Sequence, residues 1–360
     1  MKIFFISILI VFILATAGFV QGQRFSNDSH VHITNYVQEG PDLAQFLTIM
    51  NKYRIKRCAI FGIPLQLEWN MDIEKHRPTY YLNTDGRLYY YSAVDPVIAR
   101  KYLSLSPEDQ KRFDPMICGF NPTDGNAVEH IKKMIALYPG VFCGIGEFSI
   151  YKEAVSSRTY GKSSTLNDKA MDKILNLAGE IGLVVNIHCD IDAMAKDKNI
   201  DNYPRYFDDM YSLLKRHTKT TVIWAHTGLG RYVSPSDYHI KCLTKMINNC
   251  PNAYFDISWS EVAKYIIEND NDLKQWAELL CEYPGRFLFG TDSVAPSEEK
   301  YENDVHMYDK LWEILPVDVQ EKIKFSNHNR IFDKANRKTK EWEKKNLKVL
   351  VPIINWPFEN

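Results

Sequence analysis

Short apolar runs recur along this 360-residue chain, and most are followed by a stretch whose apolar positions return every three or four residues. The runs are "SHVHI" (29–33), "RCAIFGI" (57–63), "PMICGF" (115–120), "VFCGIGEF" (141–148), "LVVNIH" (183–188), "TVIWAH" (221–226), "AYFDIS" (253–258) and "RFLFGT" (286–291). Helical periodicity fills "GPDLAQFLTIMNKYR", "GNAVEHIKKMIALYP", "STLNDKAMDKILNLAGEIG" and "YPRYFDDMYSLLKRH". In the third of these, "STLND" offers a hydroxyl cap and Gly182 stands where a helix would stop. Strands alternating with helices predict a parallel sheet, because parallel strands need crossover connections. Eight strands in one domain predict an α/β fold, the (β/α)8 TIM barrel, with a doubly wound open sheet as the alternative.

Two segments exceed a minimal barrel. Residues 66–114 separate strands 2 and 3 by more than one helix. Within this aromatic-rich insertion, "TYYLNTDGRLYYYS" reads as a hairpin about an Asp-Gly turn. On a barrel it would leave from the C-terminal strand ends, where sites are built, so segment 79–91 is expected to cap the mouth. After Phe332, "DKANRKTKEWEKKNLK" reads as a solvated charged helix, and residues 336–360 form a C-terminal helical extension.

The first residues, "MKIFFISILIVFILATAGFVQGQ", carry one positive residue, a long apolar run and then small residues. This predicts a secretory signal peptide over 1–22, cleaved after Ala17 or Gly22. The run Ile3 to Val20 is also just long enough for an uncleaved anchor. Either reading puts the body, 23–335, outside the cytoplasm as a secreted or periplasmic protein. No stable membrane association is expected once the leader is removed.

Composition changes this picture little. The chain is 45% hydrophobic and 25% charged with a net charge of −1, an ordinary globular profile. Without a basic excess, nucleic acid is not an expected partner, while a homo-oligomer is left open. The seven cysteines are an odd number, so at least one cannot pair within the chain. Most read as reduced core thiols, with Cys242, Cys250 and Cys281 the better candidates for a disulfide.

Chemistry collects where the apolar runs stop. His30 and His32 are two apart, so in a strand they share a face while Val31 turns the other way. Glu147 ends the fourth run, His188 the fifth and His226 the sixth, and Asp292 follows the eighth. A barrel sets strand ends on one ring, so these six side chains are expected to converge on one pocket. Four imidazoles and two carboxylates suit a divalent metal, zinc first, with manganese, iron or nickel also acceptable. Arg231, in a glycine-containing loop after His226, is a candidate clamp for a substrate carboxylate or phosphate, or an inter-loop ion pair. Asp256 and Trp259, at the end of the seventh strand, read as packing residues, with lining of the pocket as the alternative. His76, His130, His217, His239, His306 and His328 read as ordinary surface or loop histidines.

The motifs "DSHVHI", "GIGEF", "VVNIHCD", "IWAHTGLGR" and "FLFGTD", in that order, resemble the amidohydrolase superfamily of metal-dependent hydrolases. "NHNRIF" (327–332) is similar to an element that follows the barrel in amidohydrolase family 2. The resemblance spans roughly residues 27–335. It implies that His30, His32 and Asp292 hold the more buried of one or two metals, and that Asp292 also shuttles a proton. It implies that His188 is a ligand, and that His226 is a second-metal ligand or a free imidazole acting on the substrate. Glu147 would bridge two metals or, alternatively, hold a ligand histidine in its tautomer. Lys152 lies beyond the expected strand and is set aside as a carboxylated bridge.

The implied activity is hydrolysis of an ester, lactone, amide or phosphoester of a small molecule by metal-activated water. The alternative is a metal-dependent non-oxidative decarboxylase of an aromatic or unsaturated acid. A nuclease is disfavoured by the charge, and a non-enzymatic role by the six competent positions.

Overall fold

Alternation with period two runs through the strands, and it sorts side chains between two sides of one sheet. The computed structural model describes residues 25–34, 38–80, 83–194 and 203–350. In chain order the strands are β1 (Ser26–Thr34), β2 (Ile55–Gly62), β3 (Gln66–Leu67), β4 (Leu88–Tyr89), β5 (Phe113–Ile117) and β6 (Gly144–Ile150). They continue with β7 (Val184–Cys189), β8 (Val222–Trp224), β9 (Ala253–Asp256), β10 (Phe287–Leu288) and β11 (Ser293–Val294). The main sheet runs β10-β9-β8-β7-β6-β5-β2-β1-β11, every pair parallel.

This order is a closed ring. β10 pairs with β9, and β11 pairs with β1. Between them, Ser29 N donates to Phe289 O (3.0 Å) and Asp292 N donates to His30 O (2.8 Å). Residues 287–294 therefore act as one irregular eighth strand. Closure rules out the open doubly wound sheet and leaves the expected TIM barrel.

Val31 and Ile33 of β1, Cys58 and Ile60 of β2, and Val185 and Ile187 of β7 pack outward in the main core. Among the alternate positions, Ala59, Phe61, Met116, Val184, Ile223 and Leu288 form a second apolar cluster. Most of these fill the lower half of the barrel, while Phe61 packs against the His30 and His32 rings, 4.9 Å from each. The inward positions above them carry His30, His32, Glu147, Asn186, His188 and Asp256, so the interior changes from apolar to polar along its axis.

The floor is sealed by the "NHNRIF" motif. It opens a helix, Asn327–Leu350, whose Ile331, Phe332 and Ala335 join the inner cluster. Asn327 donates to Pro284 O (2.7 Å) and Phe287 O (2.8 Å), tying the helix start to β10. This helix runs through residues 335 and 336, and it corrects one expectation, since its charged tail is not fully solvated. Thr339 and Glu343 are buried, Glu343 accepts from Gly140 N (2.9 Å) and Asn336 donates to Asp114 (2.8 Å).

The insertion also differs from its sequence reading. The antiparallel pair is Gln66–Leu67 with Leu88–Tyr89, so the two strands are far apart in sequence and Asp85-Gly86 is not the hairpin tip. The helix Val94–Leu103 already packs on β2 and β5 as an ordinary barrel crossover. The predicted leader lies outside the described residues, as do Tyr81 and Leu82 of the expected flap. Among the described residues no helix is long and apolar enough to cross a membrane. All seven cysteines are free and only Cys281 is exposed, so the expected disulfide candidates stay unpaired.

Candidate metal centre

Each expected residue of the ring is in place. His30 and His32 project inward from β1 with their Nε2 atoms 3.3 Å apart. Asp292, on the irregular eighth strand, puts Oδ1 3.3 Å from His30 Nε2 and 3.1 Å from His32 Nε2. Glu147 stands at the centre. Its Oε2 lies 3.4 Å from His32 Nε2, while Oε1 lies 2.8 Å from His188 Nδ1 and 3.3 Å from His226 Nε2. Among the described residues three ligand-like groups result, His30/His32/Asp292, Glu147/His188/His226 and, deeper, His30/His226/Asp256. Glu147 faces the first two.

Local backbone geometry sets these side chains. Gly146 has φ +115°, and a Cβ there would meet Asn186 O at 2.1 Å, so the "GIGEF" glycine lets β6 approach β7 beside Glu147. His226, Thr227, Trp259 and Asp292 all hold positive φ, between 54° and 80°. Such left-handed residues cost free energy elsewhere in a protein, and their clustering here marks a functional region.

The hydrogen bonds decide which nitrogens are bare. His32 Nδ1 lies 2.8 Å from Gly62 O, which can only accept, so Nδ1 carries the proton. His30 Nδ1 faces Asp256 Oδ2 at 3.1 Å and is likewise the donor. His226 Nδ1 is 2.8 Å from Ser258 Oγ, which itself donates to Asp256 Oδ1 at 2.5 Å, so the imidazole donates again. With Nδ1 engaged as a donor on all three rings, the Nε2 atoms are the ones turned toward one another and toward Glu147 and Asp292. A cation, whether a proton or a metal, is what these atoms can share at such distances. This donor set fits a divalent metal of the N/O-liganded kind.

Electrostatics agree. Burial opposes ionisation of Glu147, but His188, His226 and His32 outweigh it and hold its carboxyl well below the usual range. Burial works against Asp292 in the same way, and His30 and His32 hold it well below. Burial likewise disfavours a charged His30, yet Asp256 and Asp292 raise its proton affinity well above that of a free imidazole. A field that favours a proton on these rings favours a metal in its place.

The amidohydrolase family model matches residues 28–333, which contain every one of these groups. The chain belongs to the amidohydrolase family. No curated protein matches this amidohydrolase. Its fold is shared by solved structures at low identity. One is a probable 2-pyrone-4,6-dicarboxylic acid hydrolase of Acinetobacter baumannii with citric acid bound: 12% identity, TM-score 0.55, 85% of this chain and 99% of that one. Another is a 2,6-dihydroxybenzoate decarboxylase complexed with its namesake acid: 13% identity, TM-score 0.51, 86% and 99%. A third is an amidohydrolase of Burkholderia multivorans with bound zinc: 10% identity, TM-score 0.50, 86% and 99%.

Several functional positions of this amidohydrolase were missed or ranked below packing in its sequence. Asp256 is not a packing residue: fully buried, it accepts from His30 Nδ1 and His226 N (2.8 Å). Trp259 lines the cavity and lies 5.1 Å from the His226 ring. Asp190 was passed over, yet its Oδ1 is 3.2 Å from His188 Nε2 and leaves Nδ1 as the ring's working atom. Asp190 is two residues past His188, and Ser258 two past Asp256. The same i, i+2 signal that singles out His30 and His32 was available for both.

The remaining histidines divide. His217, His239 and His328 are buried, against expectation, because helices cover the positions they occupy. His328 belongs to the floor, 2.9 Å from Ser29 Oγ and 3.0 Å from Asp114 Oδ2.

Above the ring lies a cavity of about 260 Å³. Arg231 reaches its wall but not the metal centre, and one guanidinium nitrogen lies 3.7 Å from Glu261. Tyr80 and Leu88 of the insertion also line it, so that segment does reach the mouth.

Proposed function

We propose that this amidohydrolase hydrolyses an ester, lactone, amide or phosphoester of a small molecule at a divalent-metal centre, zinc first, outside the cytoplasm. The observation that carries the reading is Glu147. Its two oxygens face His32 on one side and His188 with His226 on the other. That is the disposition of a carboxylate shared by two metal sites. His30, His32 and Asp292 would hold one ion; His188, His226 and Glu147 a second. A divalent cation supplies acidification of bound water toward neutrality and polarisation of the scissile bond.

The chain's own groups do the rest. Asp256 and Ser258 fix the tautomers of His30 and His226, so their Nε2 atoms stay available. Asp292, with its carboxyl held ionised, is placed to accept a proton from a water over the ring and return it to the leaving group. Trp259 lines the cavity beside the His226 ring. Export is supported by the leader-like first 22 residues.

Metal content per chain, measured on wild type and Glu147→Ala, tests this. Two ions falling to one or none supports the bridged hydrolase, to be followed by ester, lactone and phosphoester panels. One ion in both proteins favours the second reading, a decarboxylase of an unsaturated acid. The cations beside the cavity suit that reading too, and CO₂ release would then be assayed first.

A further inference from the structure

The charges around the cavity point to the substrate's class, given the reading of the ring as a metal site. Among the described residues its lining carries three cations, Lys152, Arg231 and Lys300, against three carboxylates, Glu147, Asp292 and Asp304. Glu147 and Asp292 are engaged by the histidine ring. A single divalent ion there leaves the cavity with an excess of two positive charges before any substrate enters.

The cations are arranged in two places. Lys152 follows β6, the fourth strand of the ring, while Lys300 lies on the helix Glu298–His306 after the eighth. Three strands lie between them in either direction round the ring, so they occupy opposite walls. On the first wall, Lys152 Nζ lies 5.5 Å and the Arg231 guanidinium 6.0 Å from the centroid of the same ring, Trp259. Glu261, the carboxylate near Arg231, is closer to Lys264 (2.8 Å) than to Arg231 (3.7 Å). On the second wall, Lys300 Nζ sits 3.3 Å from Ser293 Oγ, next in chain to Asp292, and 3.2 Å from Asp304. The rest of the lining is mixed, with Ile63, Pro64 and Leu65 beside Gln38, Ser149 and Ser260.

We propose that the cavity takes a small dianion, one acidic group held by Lys152 and Arg231 beside Trp259 and the other by Lys300 across the mouth. Its volume, about 260 Å³, lies just under the roughly 300–1,000 Å³ typical of ligand pockets, which limits the molecule to a compact one.

Calorimetric binding to the metal-loaded protein tests the proposal with unreactive probes. These are the straight-chain dicarboxylates from malonate to adipate, the monocarboxylates of matching length and the corresponding diamides. At one chain length or more the dicarboxylate is expected to bind about tenfold tighter than its monocarboxylate, and the diamide weakest, since a charge-assisted pair is lost at each step. Lys300→Met and Lys152→Met should each bring the dicarboxylate down to the monocarboxylate's affinity, with diamide binding unchanged. Lys300→Arg should keep the preference, separating charge from folding. No preference for dicarboxylates at any length, or a preference that survives both methionine variants, overturns the proposal. Elemental analysis of the same samples reads the metal site separately, so a failure of that reading is distinguishable.

Discussion

Asp256 Oδ2 and His30 Nδ1 face each other at 3.1 Å in the centre of the barrel, both side chains fully buried. The contact joins the seventh strand position to the first, and it fixes which nitrogen of His30 is bare. Asp256→Asn keeps the shape but lets the amide donate to Nδ1, which moves the proton to Nε2. Changing such a partner of a ligand histidine typically costs about 10–100-fold in metal affinity. That loss is expected here, read by titration against a chelator with the far-ultraviolet circular dichroism unchanged. Unaltered affinity would remove Asp256 from the metal site.

Metal binding should also be visible in stability. A ligand that binds only the folded state, present at 100 times its dissociation constant, stabilises by about 2.7 kcal/mol. Stripping the protein with a chelator is expected to lower the melting temperature, and zinc should restore it. His32→Ala should abolish the response, because His32 contacts both Asp292 and Glu147. A melting temperature indifferent to metal would contradict the tautomer argument.

Acid sensitivity has a source away from the metal centre. His239 is fully buried, neither ring nitrogen has a hydrogen-bond partner among the described residues, and burial alone pushes its pKa from 6.5 down to about 3. The folded state therefore keeps His239 neutral while the unfolded chain takes up a proton below pH 6.5. Stability from this group is complete above pH 6.5 and falls as pH drops toward about 3, by on the order of a few kcal/mol in total. His239→Leu should flatten urea-unfolding stability between pH 6.5 and 4.5. An equally steep decline in the variant would place the acid sensitivity elsewhere.

The floor of the barrel depends on one buried ion pair. Arg57 Nη2 donates to Asp114 Oδ1 at 2.6 Å, and Asp114 also takes His328 and Asn336. Burial opposes the Asp114 charge, and Arg57 outweighs it, keeping the carboxyl below its ordinary value. Arg57→Met leaves that charge buried without its main partner and should destabilise by about 3–5 kcal/mol, measured by chemical denaturation. Metal content per folded chain should be unchanged, since the floor and the ring are at opposite ends of the barrel.

The sequence by itself determined the barrel and its six ring residues. Strand side chains alternate by local stereochemistry, so an apolar run ending in His30-x-His32, His188 or His226 already states which groups face inward and at which end. Periodicity of that kind needs no partner. The tertiary structure alone decided the rest. Asp256 acquires its role only because ring closure brings it to His30 across 226 positions, and Lys300 faces the cavity only because the eighth strand returns to the first. His239, and Thr339 and Glu343 of the charged C-terminal helix, are buried because neighbouring elements cover them. Such contacts lie far apart along the chain, and no local pattern encodes the partner. The fold supplies it when the barrel closes.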